Sequence, residues 1–301
     1  MRLSSAGRTA HRRLCTSTSR IDWTRFTPKN AAPSAPPLLL IHGFACGNND
    51  WGSLPKALAT RSKREVISYD ARGVGNSDAP EGPYTVDLLA ADALRVLDSA
   101  NVPRAHVLGV SLGGMVAQTL ALAHPQRVGG LILGGSTHGG REAEPVPDAF
   151  IKLCVRWADE PFPNDSPLVD EFMSWMVPAD TAATPAGAKL MDLFKWSFLQ
   201  TPRHAAGLRG QLAAMGRFNS TKRLGELHSH PTLAICGERD AVMSPANSES
   251  IAQRIGPSAR VQMWEGAGHF FWAHRPREAS SAISDFLVEC DARSGSSRWI
   301  S

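Results

Sequence analysis

The sequence feature that most constrains the fold is a series of short apolar segments separated by amphipathic stretches. Six such segments read PPLLLIHGF from residue 36, REVISYD from 64, AHVLGVS from 105, VGGLILGGS from 128, PTLAICGE from 231 and ARVQMWEGAG from 259. Helical periodicity fills the stretches 88–100, 112–124, 246–255 and 278–289. Buried strands that alternate with helices predict an α/β fold with a mostly parallel sheet covered on both faces.

One region interrupts this alternation. Residues 139–225 contain several amphipathic helical stretches and no strand-like segment. We therefore predict a core formed by residues 21–138 and 226–291, an all-helical cap at 139–225 inserted between strands, and a tail at 292–301. Within the cap, TPRHAAGLRGQLAAM predicts a helix with Thr201 as its N-cap and Pro202 at the first helical position.

The basic character of the chain is concentrated at its N-terminus. Residues 1–20 contain five arginines, seven Ser or Thr residues and no acidic residue, and the rest of the chain has 27 Lys and Arg against 28 Asp and Glu. This amphipathic, acid-free pattern is typical of an organelle transit peptide and predicts mitochondrial import. The alternatives are a disordered basic tail and a cytoplasmic protein. The near-neutral remainder argues against a nucleic-acid partner.

Composition excludes several other classes. With 43% hydrophobic and 20% charged residues the chain has the balance of an ordinary globular protein, and no apolar run approaches the roughly 18 residues of a membrane span. The five cysteines are scattered without a C-x-x-C pair, so neither a disulfide framework nor a zinc site is indicated. No ligand cluster with metal spacing and no Gly-rich phosphate loop occurs, and we predict no metal and no cofactor.

A candidate nucleophile follows the third apolar segment. In AHVLGVSLGGMVAQ, Ser111 lies where a predicted strand turns into a predicted helix, and Gly109 and Gly113 flank it. Such a sharp turn holds the hydroxyl out at the carboxyl end of the strand, where the new helix directs free N–H groups at the same place. The pattern G-x-S-x-G is weak alone, but its position between strand and helix makes it specific.

A serine nucleophile requires a base, an acid and donors for the oxyanion. His269, in the loop EGAGHFF after the last predicted strand, is the candidate base, and Asp240 in CGERDAV is the candidate acid, with Glu238 as the alternative. The backbone N–H groups of Phe44 and Leu112 are the candidate oxyanion donors. The other histidines we assign to structure: His42 bonds within its own loop, His274 heads the last helix, and His228 and His230 are solvated.

These motifs, taken in order, resemble the α/β-hydrolase superfamily over about residues 36–290. HGF, YDARGVGNSD, GVSLGG, CGERD and GAGHF all match. The elbow and helical lid are most similar to small lactonases, carboxylesterases and perhydrolases. The resemblance implies a serine hydrolase of the carboxylic ester class, without cofactor, acting on a small ester, lactone or thioester. It also implies that Asp70 and Arg72 pair within a structural loop. Carbon–carbon bond hydrolysis and a non-catalytic ligand-binding or signalling role on the same fold are the alternatives.

The cap is expected to determine the substrate. Large apolar side chains there can line a pocket for an ester-like small molecule, and the alternative is that they only pack the cap onto the core. The predicted pocket residues are Trp157, Trp175, Met176, Met191, Phe194 and Trp196. No cluster of Arg or Lys indicates a phosphate or polycarboxylate substrate.

Overall fold

The sheet has eight strands and forms the centre of the molecule. A computed structural model describes residues 10–13, 19–32, 35–159 and 167–296 of the chain. The strand order is β1-β2-β4-β3-β5-β6-β7-β8. The first two strands run antiparallel to their neighbours, and the pairs from β4 to β8 are parallel. The strands are β1 Ala10–Arg13, β2 Asp22–Phe26, β3 Leu38–Ile41, β4 Val66–Tyr69, β5 Ala105–Val110, β6 Val128–Gly134, β7 Thr232–Gly237 and β8 Ala259–Trp264.

Helices cover the sheet and form the cap. The helices are α1 Leu54–Ser62, α2 Val86–Ser99, α3 Leu112–Ala123, α4 Asp148–Asp159, α5 Pro167–Met176, α6 Ala179–Ala182, α7 Pro185–Leu199, α8 Ala205–Arg217, α9 Pro245–Ile255, α10 Phe271–His274 and α11 Pro276–Ser296. Three 3-10 segments, Asn48–Trp51, Pro125–Arg127 and Thr221–Ser229, connect them. Helices α4 to α8 lie between β6 and β7, within residues 139–225. None of the described helices is both long and apolar enough to cross a membrane.

The central strands are continuous apolar runs because both of their faces are covered. Every residue of β3, β5, β6 and β7 is buried, which is the pattern of a parallel sheet between two helical layers. The carboxyl ends of parallel strands meet at one edge, where an open α/β sheet places its ligand site. The loops after β3, β5, β7 and β8 therefore come together there.

Three expectations about the elements require correction. Ala10–Arg13, within the N-terminal segment that we set apart from the fold, forms β1 against β2. Helix α1 was not predicted. Helix α8 begins at Ala205 with His204 as its N-cap rather than Thr201, because the backbone of Arg203 is extended and pairs with Val74.

Two side-chain expectations are also wrong. Arg72 does not pair with Asp70: its Nε and Nη2 bind Asp92 at 2.8 and 2.7 Å. The Asp70 carboxylate instead accepts the backbone N–H groups of Asn48 and Asn76 at 2.7 and 3.0 Å. His230 is buried rather than solvated, with Nδ1 3.2 Å from the carbonyl oxygen of Gly129.

Candidate active site

Ser111 occupies a strained turn between β5 and α3. Its φ of 55° and ψ of −121° are unfavourable for an L-residue, and such strain accumulates at functional sites. The flanking glycines allow the turn: a Cβ at Gly109 would lie 2.1 Å from the carbonyl oxygen of Gly113, and one at Gly113 would lie 2.0 Å from that of Ile41. Strand, elbow and helix therefore pass within backbone contact, which only glycine permits.

His269 and Asp240 are brought together at the same edge of the sheet. His269 Nδ1 lies 2.7 Å from Asp240 Oδ2, and both side chains are buried. The other carboxylate oxygen of Asp240 accepts the backbone N–H groups of Val242 and Met243 at 2.9 and 2.8 Å. These bonds fix the carboxylate, which in turn orients the imidazole ring.

The alternative acid, Glu238, lies elsewhere. Its carboxylate is exposed and accepts the backbone N–H of Gly266 at 3.1 Å. The described structure contains no hydrogen bond from Glu238 to His269. Of the two acids in the CGERD motif, which the sequence leaves as alternatives, Asp240 is the one hydrogen-bonded to His269.

Ser111 and His269 line one small cavity. Its volume is about 20 Å³, which is about the space that one water molecule requires. The described structure records no hydrogen bond between the two side chains. Catalytic hydrogen bonds are often long before substrate binds, so their shared cavity is the relevant observation. The full lining is His42, Gly43, Phe44, Cys46, Val110, Ser111, Phe150, Phe172, Met176, Met215, His269 and Phe270.

Two candidate backbone donors lie close to this cavity, one in Phe44, which lines it, and one in Leu112, which follows the lining residue Ser111. Leu112 is the first residue of α3, so its N–H has no partner within the helix. Phe44 follows β3 in the loop that also lines the cavity. Neither N–H donates to another described residue. Free N–H groups on both sides of a serine hydroxyl are suited to an oxyanion.

The predicted cap residues occupy different positions. Met176 lines the cavity. Phe194 and Trp157 contact residues that line it, with ring centroids 5.3 Å from Phe270 and 4.7 Å from Phe172, respectively. Trp175 packs 5.4 Å from Phe150, and Met191 is half-buried against the core. Trp196 is 63% exposed, so its placement in an apolar pocket is wrong.

Several lining residues were missed by the sequence analysis. Phe150 and Phe172 belong to amphipathic stripes of α4 and α5, but periodicity does not tell which buried face meets the site. Phe270 directly follows the candidate base, and Met215 comes from α8 on the far side of the cap. Only the packing of the cap reveals these contributions.

The remaining titratable groups at the cavity are held uncharged. Burial lowers the pKa of His42 to about 3, and its Nδ1 accepts the N–H of Gly43 at 2.8 Å, as expected for a histidine that stabilises its own loop. Burial raises the pKa of the Cys46 thiol well above its usual value, which disfavours the reactive thiolate. The described residues contain no cluster of three or more His, Cys, Asp or Glu side chains arranged to hold a metal ion.

A larger cleft lies next to the small cavity. It has a volume of about 630 Å³ and lies between the segment after β6 and helices α4 and α8. Met215 lines both spaces, so the two spaces meet at its side chain. The lining is largely apolar, from Met115, Val146, Ile151, Val155, Leu212, Met215 and Phe218, with Arg141 and Glu144 as its charged members.

Comparisons with known proteins agree with this architecture. The family model for the alpha/beta hydrolase fold matches residues 36–274. A solved hydrolase from Pseudomonas aeruginosa PA01 superposes with a TM-score of 0.77 at 29% identity, covering 94% of this chain and 99% of the other. The chain belongs to the α/β-hydrolase family of enzymes.

Two relatives have different activities in their names. A protein of Azorhizobium caulinodans, provisionally named as the carbamate hydrolase RutD, is 28% identical over 263 residues, covering 85% of this chain and 92% of that protein. The 2-hydroxymuconate semialdehyde hydrolase of a Pseudomonas species is 29% identical over 266 residues, covering 85% and 88%. Both are hydrolases by name, with different substrates.

Proposed function

We propose that the protein is a serine hydrolase that cleaves a small carboxylic ester, lactone or thioester through an acyl-enzyme. Ser111 is the nucleophile, His269 the general base and Asp240 the acid that orients it. The N–H groups of Phe44 and Leu112 bind the oxyanion. One observation carries the proposal. The strained Ser111 lines the same cavity as His269, and the Nδ1 of His269 is hydrogen-bonded to the buried carboxylate of Asp240.

The proposed reaction has two steps, acylation of Ser111 and hydrolysis of the acyl-enzyme. Ser111 Oγ attacks the acyl carbon while His269 Nε2 takes the hydroxyl proton, and the carbonyl oxygen becomes an oxyanion. Collapse breaks the bond to the leaving alcohol or thiol, which receives that proton from His269. Water then attacks the acyl-enzyme by the same path in reverse and releases the acid. The Asp240 carboxylate accepts the hydrogen bond from His269 Nδ1 and stabilises the imidazolium.

Cavity size bears on the substrate. About 20 Å³ at Ser111 holds little more than the reacting atoms, whereas about 630 Å³ beyond Met215 lies within the usual range for small-molecule sites. We infer that the apolar part of the substrate extends past Met215 into the larger cleft. The apolar lining favours an alkyl or aryl group over a polyanion.

A second candidate reaction is hydrolysis of a carbon–carbon bond. The similarity to a protein named 2-hydroxymuconate semialdehyde hydrolase favours it, since that name denotes a substrate without an ester group. The elbow, the base and the acid would be the same. The two reactions differ in the bond next to the attacked carbonyl, so substrate tests separate them.

The test combines covalent labelling with a substrate panel. A fluorophosphonate probe reacts only with an activated serine, and it should label the wild-type protein but not Ser111→Ala. p-Nitrophenyl esters of graded acyl length, lactones, thioesters and vinylogous 1,5-diketones then identify the bond. A protein that is folded yet neither labelled nor active on any of them would support a non-catalytic binding role instead.

A further inference from the structure

The loop that supplies one proposed oxyanion donor contains a strained residue of its own. We call residues 43–47, between β3 and the first 3-10 segment, the oxyanion loop. Within it Ala45, directly after Phe44, has a φ of 61°. A left-handed backbone conformation is unfavourable for alanine, so surrounding contacts must hold the loop in this shape.

Gln211 of the cap helix α8 holds the N–H of this residue. Its Oε1 accepts the backbone N–H of Ala45 at 3.0 Å, and its Nε2 donates to the carbonyl oxygen of Arg72 at 3.0 Å. The side chain is completely buried. A buried amide with both ends bonded has a single orientation, so Gln211 links the oxyanion loop to the loop after β4.

Arg203, just before α8, holds the carbonyl of the same residue. Its Nε donates to Ala45 O at 2.6 Å, and its Nη2 lies 3.1 Å from Asp50 Oδ2. Its Nη1 donates to the carbonyl oxygens of Thr201 and Phe198. The guanidinium also stacks on the Phe198 ring at 3.3 Å. Both polar groups of Ala45 are therefore bonded to side chains of the cap.

The cap segment that carries these side chains is itself fixed to the core. A Cβ at Gly207 would lie 2.2 Å from Gly73 Cα, so α8 touches the loop after β4 at backbone distance. Gly210 packs equally closely on the Tyr84 ring, where a Cβ would lie 2.5 Å from ring atoms. Helix α8 is thus a rigid support rather than a loosely placed part of the cap.

We propose that Gln211 and Arg203 are positioning residues that hold the strained Ala45 and thereby aim the Phe44 N–H at the oxyanion. This inference rests on the proposed serine-hydrolase function. Because the contact acts on a donor that works mainly in the transition state, its loss lowers kcat with little change in KM. Complete loss of an oxyanion donor costs about 10²–10³-fold in kcat, and a displaced donor loses part of that.

The experiment compares four single variants on the best substrate found. Gln211→Met keeps the shape but cannot accept from Ala45, and Gln211→Glu keeps an acceptor oxygen there. Arg203→Met removes the bond to the Ala45 carbonyl. Ser197→Ala is the matched control, since Ser197 Oγ donates to Asn49 O at 2.7 Å and so ties the cap to the core without touching Ala45. Thermal unfolding and circular dichroism establish that each variant is folded.

The expected result is a fall in kcat of about 10- to 100-fold in Gln211→Met and Arg203→Met, with KM changed less than about 3-fold. Gln211→Glu should retain more activity than Gln211→Met, and Ser197→Ala should match the wild type. Affinity for an alkylboronic acid, whose serine adduct places an oxygen among the oxyanion donors, should fall in parallel with kcat/KM.

Several outcomes would overturn the inference. A folded Gln211→Met with wild-type kcat and boronate affinity contradicts it even if Arg203→Met fails to fold. A folded Arg203→Met with wild-type kcat contradicts the role of the bond to the Ala45 carbonyl. Ser111→Ala, measured in the same assay, tests the proposed function separately from the positioning role. If Ser111→Ala remains active, the proposed function fails. If Ser111→Ala is inactive and Gln211→Met is unaffected, only the positioning role is refuted.

Discussion

Two non-glycine residues at the candidate site adopt left-handed backbone conformations, Ser111 at φ 55° and Ala45 at φ 61°. Each lies next to a candidate oxyanion donor, the N–H of Leu112 after the first and that of Phe44 before the second. The same turns that store strain therefore expose the donors. Substitution of glycine for Ala45 would relieve the strain, but it would also remove part of the constraint that keeps this donor in place.

The proposed triad predicts a specific order of severity among single substitutions. Ser111→Ala and His269→Ala remove one proton-coupled step, so each should lower kcat by about a million-fold and the double variant should be little worse. Asp240→Asn should be milder, near about thirty-thousand-fold, because nucleophile and base survive while the ring loses its orientation. Steady-state kinetics on the best p-nitrophenyl ester measure all three.

The matched control for the acid is Glu238→Gln. Among the described residues, the exposed Glu238 carboxylate accepts the Gly266 N–H at 3.1 Å, whereas Asp240 lies 2.7 Å from His269. Near wild-type activity is therefore expected for Glu238→Gln. A crippled Glu238 variant beside an active Asp240→Asn would assign the acid to Glu238, and two active variants would contradict the triad itself.

At the scale of elements, the cap closes the site from two sides. Helices α4 and α5 contribute Phe150, Phe172 and Met176, and α8 contributes Met215. Of these, Met215 alone also lines the large cleft. Helix α8 consequently has two proposed roles. Gln211 supports the oxyanion loop, and Met215 lies where the small cavity meets the large cleft, which is the proposed space for the apolar part of the substrate.

Met215→Ala should therefore change chain-length preference. Shortening the Met215 side chain should widen the passage from the small cavity at Ser111 into the cleft of about 630 Å³. Each methylene of the substrate buried in that cleft contributes about 0.8 kcal/mol. The ratio of kcat/KM for octanoyl to acetyl p-nitrophenyl esters should rise by about 10-fold or more. Trp196→Ala, which changes an exposed side chain of α7, is the control. An unchanged ratio in Met215→Ala would place the substrate elsewhere.

The core elements were predictable from sequence and the cap contacts were not. Strands such as β5 are all buried, so their apolar runs are unambiguous, and the Ser111 elbow needs glycines at fixed positions because backbone passes backbone there. Gln211 gave no such signal, because its partner Ala45 lies 166 residues away in sequence. The Asp70–Arg72 pairing failed for a related reason, since Arg72 reaches Asp92 on α2.

At the scale of the whole molecule, the N-terminal segment is proposed both to direct import and to complete the sheet. Residues 1–20 fused to a fluorescent protein should localise to mitochondria because their arginines and apolar residues form an acid-free amphipathic pattern. The same fusion with Arg8→Glu and Arg12→Glu is the control and should stay outside. Diffuse cytosolic fluorescence of the unaltered fusion would contradict the proposal. Cleavage after residue 20 would also remove β1 and leave β2 at the edge of the sheet.

The whole fold should lose stability in mild acid because it buries neutral histidines. Burial lowers the pKa of His42 to about 3, and it also lowers the pKa values of His106 and His230. A histidine in the unfolded chain has a pKa of about 6.5. As pH falls below that value, these histidines bind protons in the unfolded chain but stay neutral in the folded protein, so the unfolded state is favoured. This stabilisation is fully present above about pH 6.5 and is lost toward lower pH. Burial of Asp50 raises its pKa to about 6, which favours the folded state as pH falls and opposes the histidines.

Between pH 7.5 and 5.5, linkage assigns His42 alone a fall of about 1 kcal/mol in the free energy of unfolding, and Asp50 offsets part of it. The other buried histidines add to the fall, so the net change should be a loss of stability. Urea unfolding at the two pH values measures it. In His42→Asn, whose amide can still accept from the Gly43 N–H, the loss should shrink by about 1 kcal/mol. A His42→Asn variant with the same acid dependence as the wild type would contradict the neutral, buried state of His42 in the folded protein.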